Sequence, residues 1–167
     1  MFGGGYVENT FLKEPRFWIT SMRQSNLIIS QKYRILKIKS RAYNLIKPRD
    51  FIIVYLKDGG AFRVVFRVLT SWISYHPDNP PILYEEEILK DRILYPFYSK
   101  IDVVGVGWVE VTDLVNDLSF IERKYAWQTY LTGFPANFRR PIPKEDAKKI
   151  LKRMKLKEEV MEYLKSL

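Results

Sequence analysis

The stretch "DFIIVYLKDGGAFRVVFRVLTSW", Asp50 to Trp72, decides the fold class. Its first half, Phe51 to Leu56, is a continuous run of the branched and aromatic residues that fit a pleated surface. Asp58-Gly59-Gly60 follows, and glycine tolerates the positive φ that a tight reversal needs. The second half, Ala61 to Val68, is again rich in Val and Phe. Two strands joined at "KDGG" are predicted, a β-hairpin.

Working outward, "RFWITSM" (16–22) reads as a buried first strand and "QSNLIISQ" as a short helix after it. On the other side, "SYHPDNPPILYEEEILKDR" (74–92) is a long connection rich in proline and acid. "YPFYSKIDVVGVGWVEV" (95–111) is a further strand, in which Gly105 and Gly107 mark a bulge or a close backbone approach. "TDLVNDLSFI" (112–121) opens with Thr-Asp capping chemistry and predicts a short helix or turn, and "YAWQTYL" a second short helical piece. From Pro141 the pattern is helical. Pro143 fits a first helical position, Glu145 and Asp146 the first turn, and Ala147, Ile150, Leu151 and Met154 one apolar stripe. The phase breaks at 155–157, and Leu156, Val160, Met161 and Leu164 form a second apolar set.

Strands first with helices around them is an α+β pattern. About five strands with a hairpin suit a small mixed or antiparallel β-barrel, partly closed, flanked by short helices and ending in a C-terminal helical segment. The chain divides into a flexible lead (1–15), the domain (16–155) and a C-terminal helical extension (156–167).

Composition narrows the chemistry. The 167 residues are 47% hydrophobic and 15% aromatic, enough for one well-formed core. A net charge of +9 favours polyanionic partners, nucleic acid foremost. There is no cysteine, so no disulfide and no thiolate chemistry, and His76 is the only histidine, set in a turn-rich segment. No phosphate-binding glycine loop is present, and no catalytic residue, metal or cofactor is expected. No apolar run reaches membrane-spanning length, so a cytoplasmic protein without a membrane partner is expected.

The basic and aromatic residues carry more information. "KYRILKIKSRAYNLIKPRD" (32–50) packs seven Lys and Arg among tyrosines and aliphatics, with Asp50 the single acid at its end. Leu36 and Ile38 read as core, Lys37, Lys39 and Arg41 as a basic rim. Among the rings Trp18, Tyr33, Trp72, Trp108 and Trp127, those of Trp72 and Trp108 fall inside strand patterns and read as core. Tyr33 and Trp127 lie at element edges among polar residues, where a ring can stack on a base. Gln128, beside Trp127, is able to hydrogen-bond a base edge.

The order of these pieces is similar to that of the EVE domain family, PUA-like proteins related to the YTH readers of modified RNA bases. "FWITSMRQSN" (17–26) resembles the family's opening strand, ending in Asn26. "KYRILKIKSRAYNLIKPRDFIIVYL" (32–56) resembles the segment from a pocket Trp to a Lys-Pro-Gly-Asp turn and strand, and "AFRVVFRVLTS" (61–71) the strand that follows. "YPF" (95–97), "LVNDLSFIERKYAWQTYLTG" (114–133) and "IPKEDAKKI" (142–150) complete the series, which spans roughly Arg16 to Lys152.

The resemblance implies a PUA-like barrel with a small aromatic pocket for a flipped-out, modified base. Carried over by position, Tyr33 stands at the pocket Trp, Trp127 at the second aromatic and Asn26 at a polar contact, with Lys37, Lys39, Ser40 and Arg41 beside them. Three residues depart from the family pattern. Tyr33 replaces a Trp, Met22 stands where relatives often carry Ser or Thr, and Arg49 replaces the turn glycine.

The expected function is a non-enzymatic module binding single-stranded or base-flipped RNA or DNA. Two other readings stay open at this point: a carboxylate- or metal-dependent enzyme on nucleotides using Asp102, Glu110, Asp113 or Asp117, and a protein-interaction adaptor with a decayed pocket.

Overall fold

The computed structural model describes residues 14–38, 45–74, 97–132 and 140–167. The hairpin forms as the sequence predicts, with strand β3 (Phe51–Leu56) and strand β4 (Ala61–Val68) in antiparallel register from Phe51↔Arg67 to Leu56↔Ala61. At the turn, Gly60 takes φ +69°, the conformation the Asp-Gly-Gly sequence implies. Every residue of β3 is buried, which explains its unbroken apolar run: it is central, covered on both faces.

Strand β1 (Phe17–Met22) lies parallel to β3, from Phe17↔Phe51 to Met22↔Leu56. A parallel pair needs a crossover rather than a hairpin. Helix α1 (Gln24–Tyr33) and strand β2 (Ile35–Ile38) supply its first part. Strand β6 (Phe97–Glu110) joins β4 to β2, giving the order β1-β3-β4-β6-β2, while the two-residue strands β5 (Ile73–Ser74) and β7 (Lys155–Leu156) also pair with β6. The result is a curled mixed sheet with four helices among the described residues, the α+β architecture expected. The other helices are α2 (Trp127–Leu131), α3 (Lys144–Leu151) and α4 (Glu158–Lys165).

Strand periodicity sorts the core into two faces. Phe17, Ile19, Phe51, Ile53, Tyr55 and Phe62 point to one side, where Ala147, Ile150, Leu151, Val160 and Leu164 of α3 and α4 complete the cluster. Trp18, Met22, Ile52, Val54, Leu56 and Phe66 point to the other, where Leu27 of α1 and Ile46 cover them. Residues 156–167, set apart in the sequence as an extension, pack into the first cluster, and Tyr163 stacks on Phe17 and Phe51 at 6.2 and 6.0 Å. The N-terminal lead through residue 13 and the connection 75–96 lie outside the described residues.

Two buried carboxylates fasten this arrangement. Asp50, 3% exposed, accepts hydrogen bonds from the Arg16 amide (3.0 Å), the Lys47 amide (3.0 Å) and Trp18 Nε1 (2.9 Å), and pairs with the Arg16 guanidinium at 3.5 Å. Asp146, 1% exposed, accepts from the Ser119 amide (3.0 Å), Ser119 Oγ (2.8 Å) and the Phe120 amide (2.9 Å), tying α3 to the turn that buries Leu118 and Ile121. A third carboxylate, Asp58 at the hairpin turn, accepts the Gln24 amide at 3.0 Å and so caps α1 from outside the helix.

Local details differ from expectation in the capping of 112–121 and in the place of Pro143, while Gly105 and Gly107 stand as expected. The 112–121 segment forms short 3₁₀ turns, Val111–Asp113 and Val115–Asp117, without side-chain caps. Pro143 sits at the N-cap of α3 rather than at its first helical position, where its missing N–H is equally harmless. Gly105 and Gly107 mark close approaches: a Cβ on Gly105 would lie 2.6 Å from Leu156 Cδ2, and one on Gly107 3.1 Å from Met154 Cγ. Two non-glycine residues hold positive φ, Arg34 at 57° and Arg49 at 81°. A left-handed backbone costs an L side chain roughly 1–2 kcal/mol.

Replacing Asp50 strands several buried donors, so Asp50→Ala is expected to lower stability by about 3 kcal/mol, whereas Asp50→Asn, retaining one acceptor oxygen, loses less. Urea denaturation of both variants checks the order; equal, small losses would refute the anchoring role.

Candidate nucleic-acid interface

The residues singled out in the sequence fall into two groups. Asn26 is exposed on the first turn of α1, Tyr33 is half-buried at its last position, and Lys37 is half-buried in β2 opposite Tyr98 of β6. Tyr33 packs with Ile29 and Ile73 against a small cluster of Ile35 and Tyr98, with Lys32 Nζ 4.8 Å from its ring centroid. Burial pushes the Tyr98 phenol up from its ordinary value. Lys39, Ser40 and Arg41 lie outside the described residues.

Trp127 and Gln128 form the second group. Trp127 opens α2, half-buried, its ring edge-on to Tyr55 at 6.3 Å and packed against the cluster that α3 and α4 complete. Burial first, and then the charge of Glu110, push the Tyr55 phenol up. Gln128 is exposed, and its carbonyl accepts the Thr132 amide and hydroxyl at 2.9 and 2.8 Å. Tyr33 and Trp127 thus pack against different hydrophobic clusters.

The remaining tryptophans divide differently from the strand-pattern reading. Trp18 is 1% exposed and spends its indole N–H on Asp50. Trp72 is half-buried, donating to the Ile46 carbonyl at 3.1 Å. Trp108, expected in the core, is 53% exposed. The pairing of β6 with β4 shifts twice nearby: two residues of β6 stand against the single Arg63 between Val106↔Val64 and Val109↔Phe62, and Val104 is extra between Val103↔Phe66 and Gly105↔Val65. Trp108 shares the outward side of β6 with Val106 and Glu110, while Val109 and Val111 turn inward, and there its Nε1 donates to Glu110 at 2.7 Å and the Arg63 guanidinium lies 5.8 Å from the ring centroid.

The carboxylates weighed for catalysis are dispersed. Asp102 pairs with Lys157 at 3.0 Å, Glu110 holds Trp108, and Asp113 and Asp117 sit exposed on the 3₁₀ turns. Among the described residues no group of three or more His, Asp or Glu side chains is placed to hold a metal ion, and no helix is long and apolar enough to cross a membrane. His76 and Glu85 to Glu87 lie outside the described residues.

Trp127→Ala is expected to lower stability by about 2 kcal/mol through the lost contact with Tyr55 and the core, while Gln128→Ala stays within about 0.5 kcal/mol of wild type. Chemical denaturation distinguishes the two.

No protein-family model matches the chain. In sequence it is similar to a UPF0310 protein of Saccharolobus solfataricus, 29% identical over 79% of this chain and 90% of the relative. A UPF0310 protein of Pyrococcus horikoshii is 24% identical over 81% of this chain and 97% of the relative. In fold it is similar to the YTH domain of the Zygosaccharomyces rouxii MRB1 protein, solved in complex with N6-methyladenosine RNA, with TM-score 0.57, 14% identity and coverage of 84% of this chain and 86% of that one. The Pho92 YTH domain, solved in complex with m6A, gives TM-score 0.54 at 16% identity, covering 83% and 84%. The chain therefore has UPF0310 relatives and a YTH-like fold.

Proposed function

We propose that this protein is an EVE-type member of the PUA-like group and a non-enzymatic nucleic-acid-binding module. It holds a modified base of a single-stranded or locally opened strand, RNA before DNA, in an aromatic pocket with a basic rim. The observation that carries this reading is the likeness of the whole fold to YTH domains captured with N6-methyladenosine RNA or m6A. The net charge of +9 supports the same class of partner.

In this reading Tyr33 supplies a ring for the base, Asn26 a polar contact, and Lys37 with Lys39, Ser40 and Arg41 the rim beside it. Trp127 and Gln128 contribute a second contact. Stacking on a ring is worth about 1–3 kcal/mol per base, and each lysine on a phosphate adds a salt-sensitive increment. Flipping a base out of a duplex costs a few kcal/mol, which favours single strands and modified or damaged positions.

Fluorescence anisotropy with matched oligonucleotides, with and without N6-methyladenosine and across a salt series, tests the proposal. Tyr33→Ala is expected to weaken binding roughly 5- to 150-fold at every salt concentration. Lys37→Ala should chiefly flatten the salt dependence, by about 0.7 in the logarithmic slope. Trp127→Phe, which keeps a ring in the core, separates binding from stability at the second contact. Wild-type protein that binds no oligonucleotide at low salt would overturn the module, and Mg²⁺- or Mn²⁺-dependent turnover of a nucleotide panel would overturn its non-enzymatic character.

A further inference from the structure

Of the four tryptophans, Trp108 is the one more exposed than buried, at 53% against the 1% of Trp18. It is nonetheless held from three directions. Its Nε1 donates to Glu110 at 2.7 Å, and the Arg63 guanidinium lies 5.8 Å from the ring centroid. Arg63 is itself fixed there, since its Nη1 donates to the Gly107 carbonyl at 2.8 Å. At the hairpin turn a Cβ on Gly59 would lie 2.9 Å from Trp108 Cη2, so the far rim of the indole rests over a glycine that leaves room for it. A ring on two χ angles, held at its N–H and its rim, offers an aromatic surface at little further entropic cost on binding.

The surroundings of the ring favour an anion. Lys155 of β7 is paired with Val106, which places its side chain on the side of the sheet that Val106 and Trp108 share. Arg153, also exposed, precedes Met154, whose Cγ would lie 3.1 Å from a Cβ on Gly107. Lys57 is exposed just before the hairpin turn.

The acids of the neighbouring elements are present but mostly engaged. Glu110 holds the indole N–H, and Asp58, beside Gly59, accepts the Gln24 amide at 3.0 Å. Asp102, farther along β6, pairs with Lys157 at 3.0 Å, and Glu159 of α4 with Arg67 at 3.6 Å. Asp113 and Glu158 are exposed, the first on the turn after β6 and the second at the start of α4. Close to the ring, Arg63, Lys57, Arg153 and Lys155 therefore face two carboxylates, Glu110 and Asp58, each with a donor of its own.

We propose that Trp108 is a stacking platform for a second base of the bound strand, with Lys155 and Arg63 beside it for the phosphate that accompanies that base. The proposal rests on the nucleic-acid reading above and adds a contact outside the Tyr33 and Trp127 groups. A single strand supplies what this face asks for, a flat π surface and an anion a few bonds away. A protein partner fits less well, because the exposed apolar side chains of β6 are Val106 and Trp108, set among charges, whereas a specific protein interface takes roughly 20–30 residues a side. The platform also adjoins the candidate site. Asp58 ties the hairpin turn to the first turn of α1, which carries Asn26. Stacking asks only for a π face, so Trp108 holds a neighbouring base of any identity and leaves selection to the base site.

Anisotropy titration of the full chain with a single-stranded RNA of about ten nucleotides carrying one N6-methyladenosine tests this. Trp108→Leu keeps an apolar side chain over Gly59 without a π face, and is expected to weaken binding roughly 5- to 150-fold at every salt concentration. Trp108→Phe should recover most of that loss. Both variants lose the bond to Glu110, so the difference between them reads the ring rather than the fold. Lys155→Gln should lower the logarithmic salt slope by about 0.7, and an unchanged slope overturns the phosphate contact. Equal binding by the leucine and phenylalanine variants overturns the platform while leaving the base module standing. A wild-type dimer in sedimentation that Trp108→Leu makes monomeric, with RNA binding intact, assigns the face to a second copy of the chain and also overturns the platform. Wild type that binds no oligonucleotide at low salt overturns the module itself, a result distinct from the others.

Discussion

The carboxylate of Asp50 is the constraint on which the rest of the structure depends. A parallel pair such as β1–β3 has no hairpin to set its register, so something at one end must fix how far the strands overlap. Asp50 does this by accepting from the backbone of Arg16 and the indole of Trp18, just before and within β1, while standing immediately before β3. The Lys47 amide folds the preceding turn onto the same carboxylate. One side chain thus sets the strand overlap, the turn and the seat of a buried tryptophan. In a low-dielectric surrounding, each of these donors would be expensive to leave without a partner.

Helix α1 depends on the sheet in the same way. Leu27 is buried, Ile28 is 52% exposed and Ile29 is partly buried, so the helix lacks the broad apolar stripe that holds most surface helices. Its first N–H is capped by Asp58 of the hairpin and its end is a left-handed arginine. Position is imposed by the strands at both ends, β1 before it and β2 after it, more than by its own sequence. The segment that presents Asn26, Tyr33 and Lys37 is for that reason carried on a frame rather than on a free loop.

What the sequence discloses follows from how local the cause is. The hairpin is legible because two apolar runs and Asp58-Gly59-Gly60 are contiguous, and β1 because its short run opens with aromatic and β-branched residues, Phe17 to Thr20. Strand β2 is hidden among lysines: Ile35 and Leu36 are buried, but Lys37 follows them half-buried and basic residues stand on either side. Trp108 reads as core only because its neighbours are apolar; it shares the outward side of β6 with Val106 and Glu110, the side opposite Val109 and Val111. Asp146 reads as a first-turn acid favoured by the helix dipole, yet its use is to gather three donors from 119–120, a contact that exists only after α3 docks. At the candidate site, the identities of Tyr33 and Trp127 are visible in the sequence. Their assignment to separate clusters is not, because it depends on which face of the sheet each element covers.

The segment from Lys32 to Asp50 shows how one stretch serves opposite ends. Leu36 and Ile46 enter the core, and Asp50 locks the first strand. Arg34 and Arg49 stand at backbone positions that folding alone would fill with glycine. Among the described residues these are the two non-glycine positions with positive φ, and the amide of Ile101 and the carbonyl of Val68, both in the sheet, hold their backbones in place. Strain at Arg34 and Arg49 and rigidity in the frame beneath them are then parts of one arrangement, since a strained residue on a soft loop would simply relax.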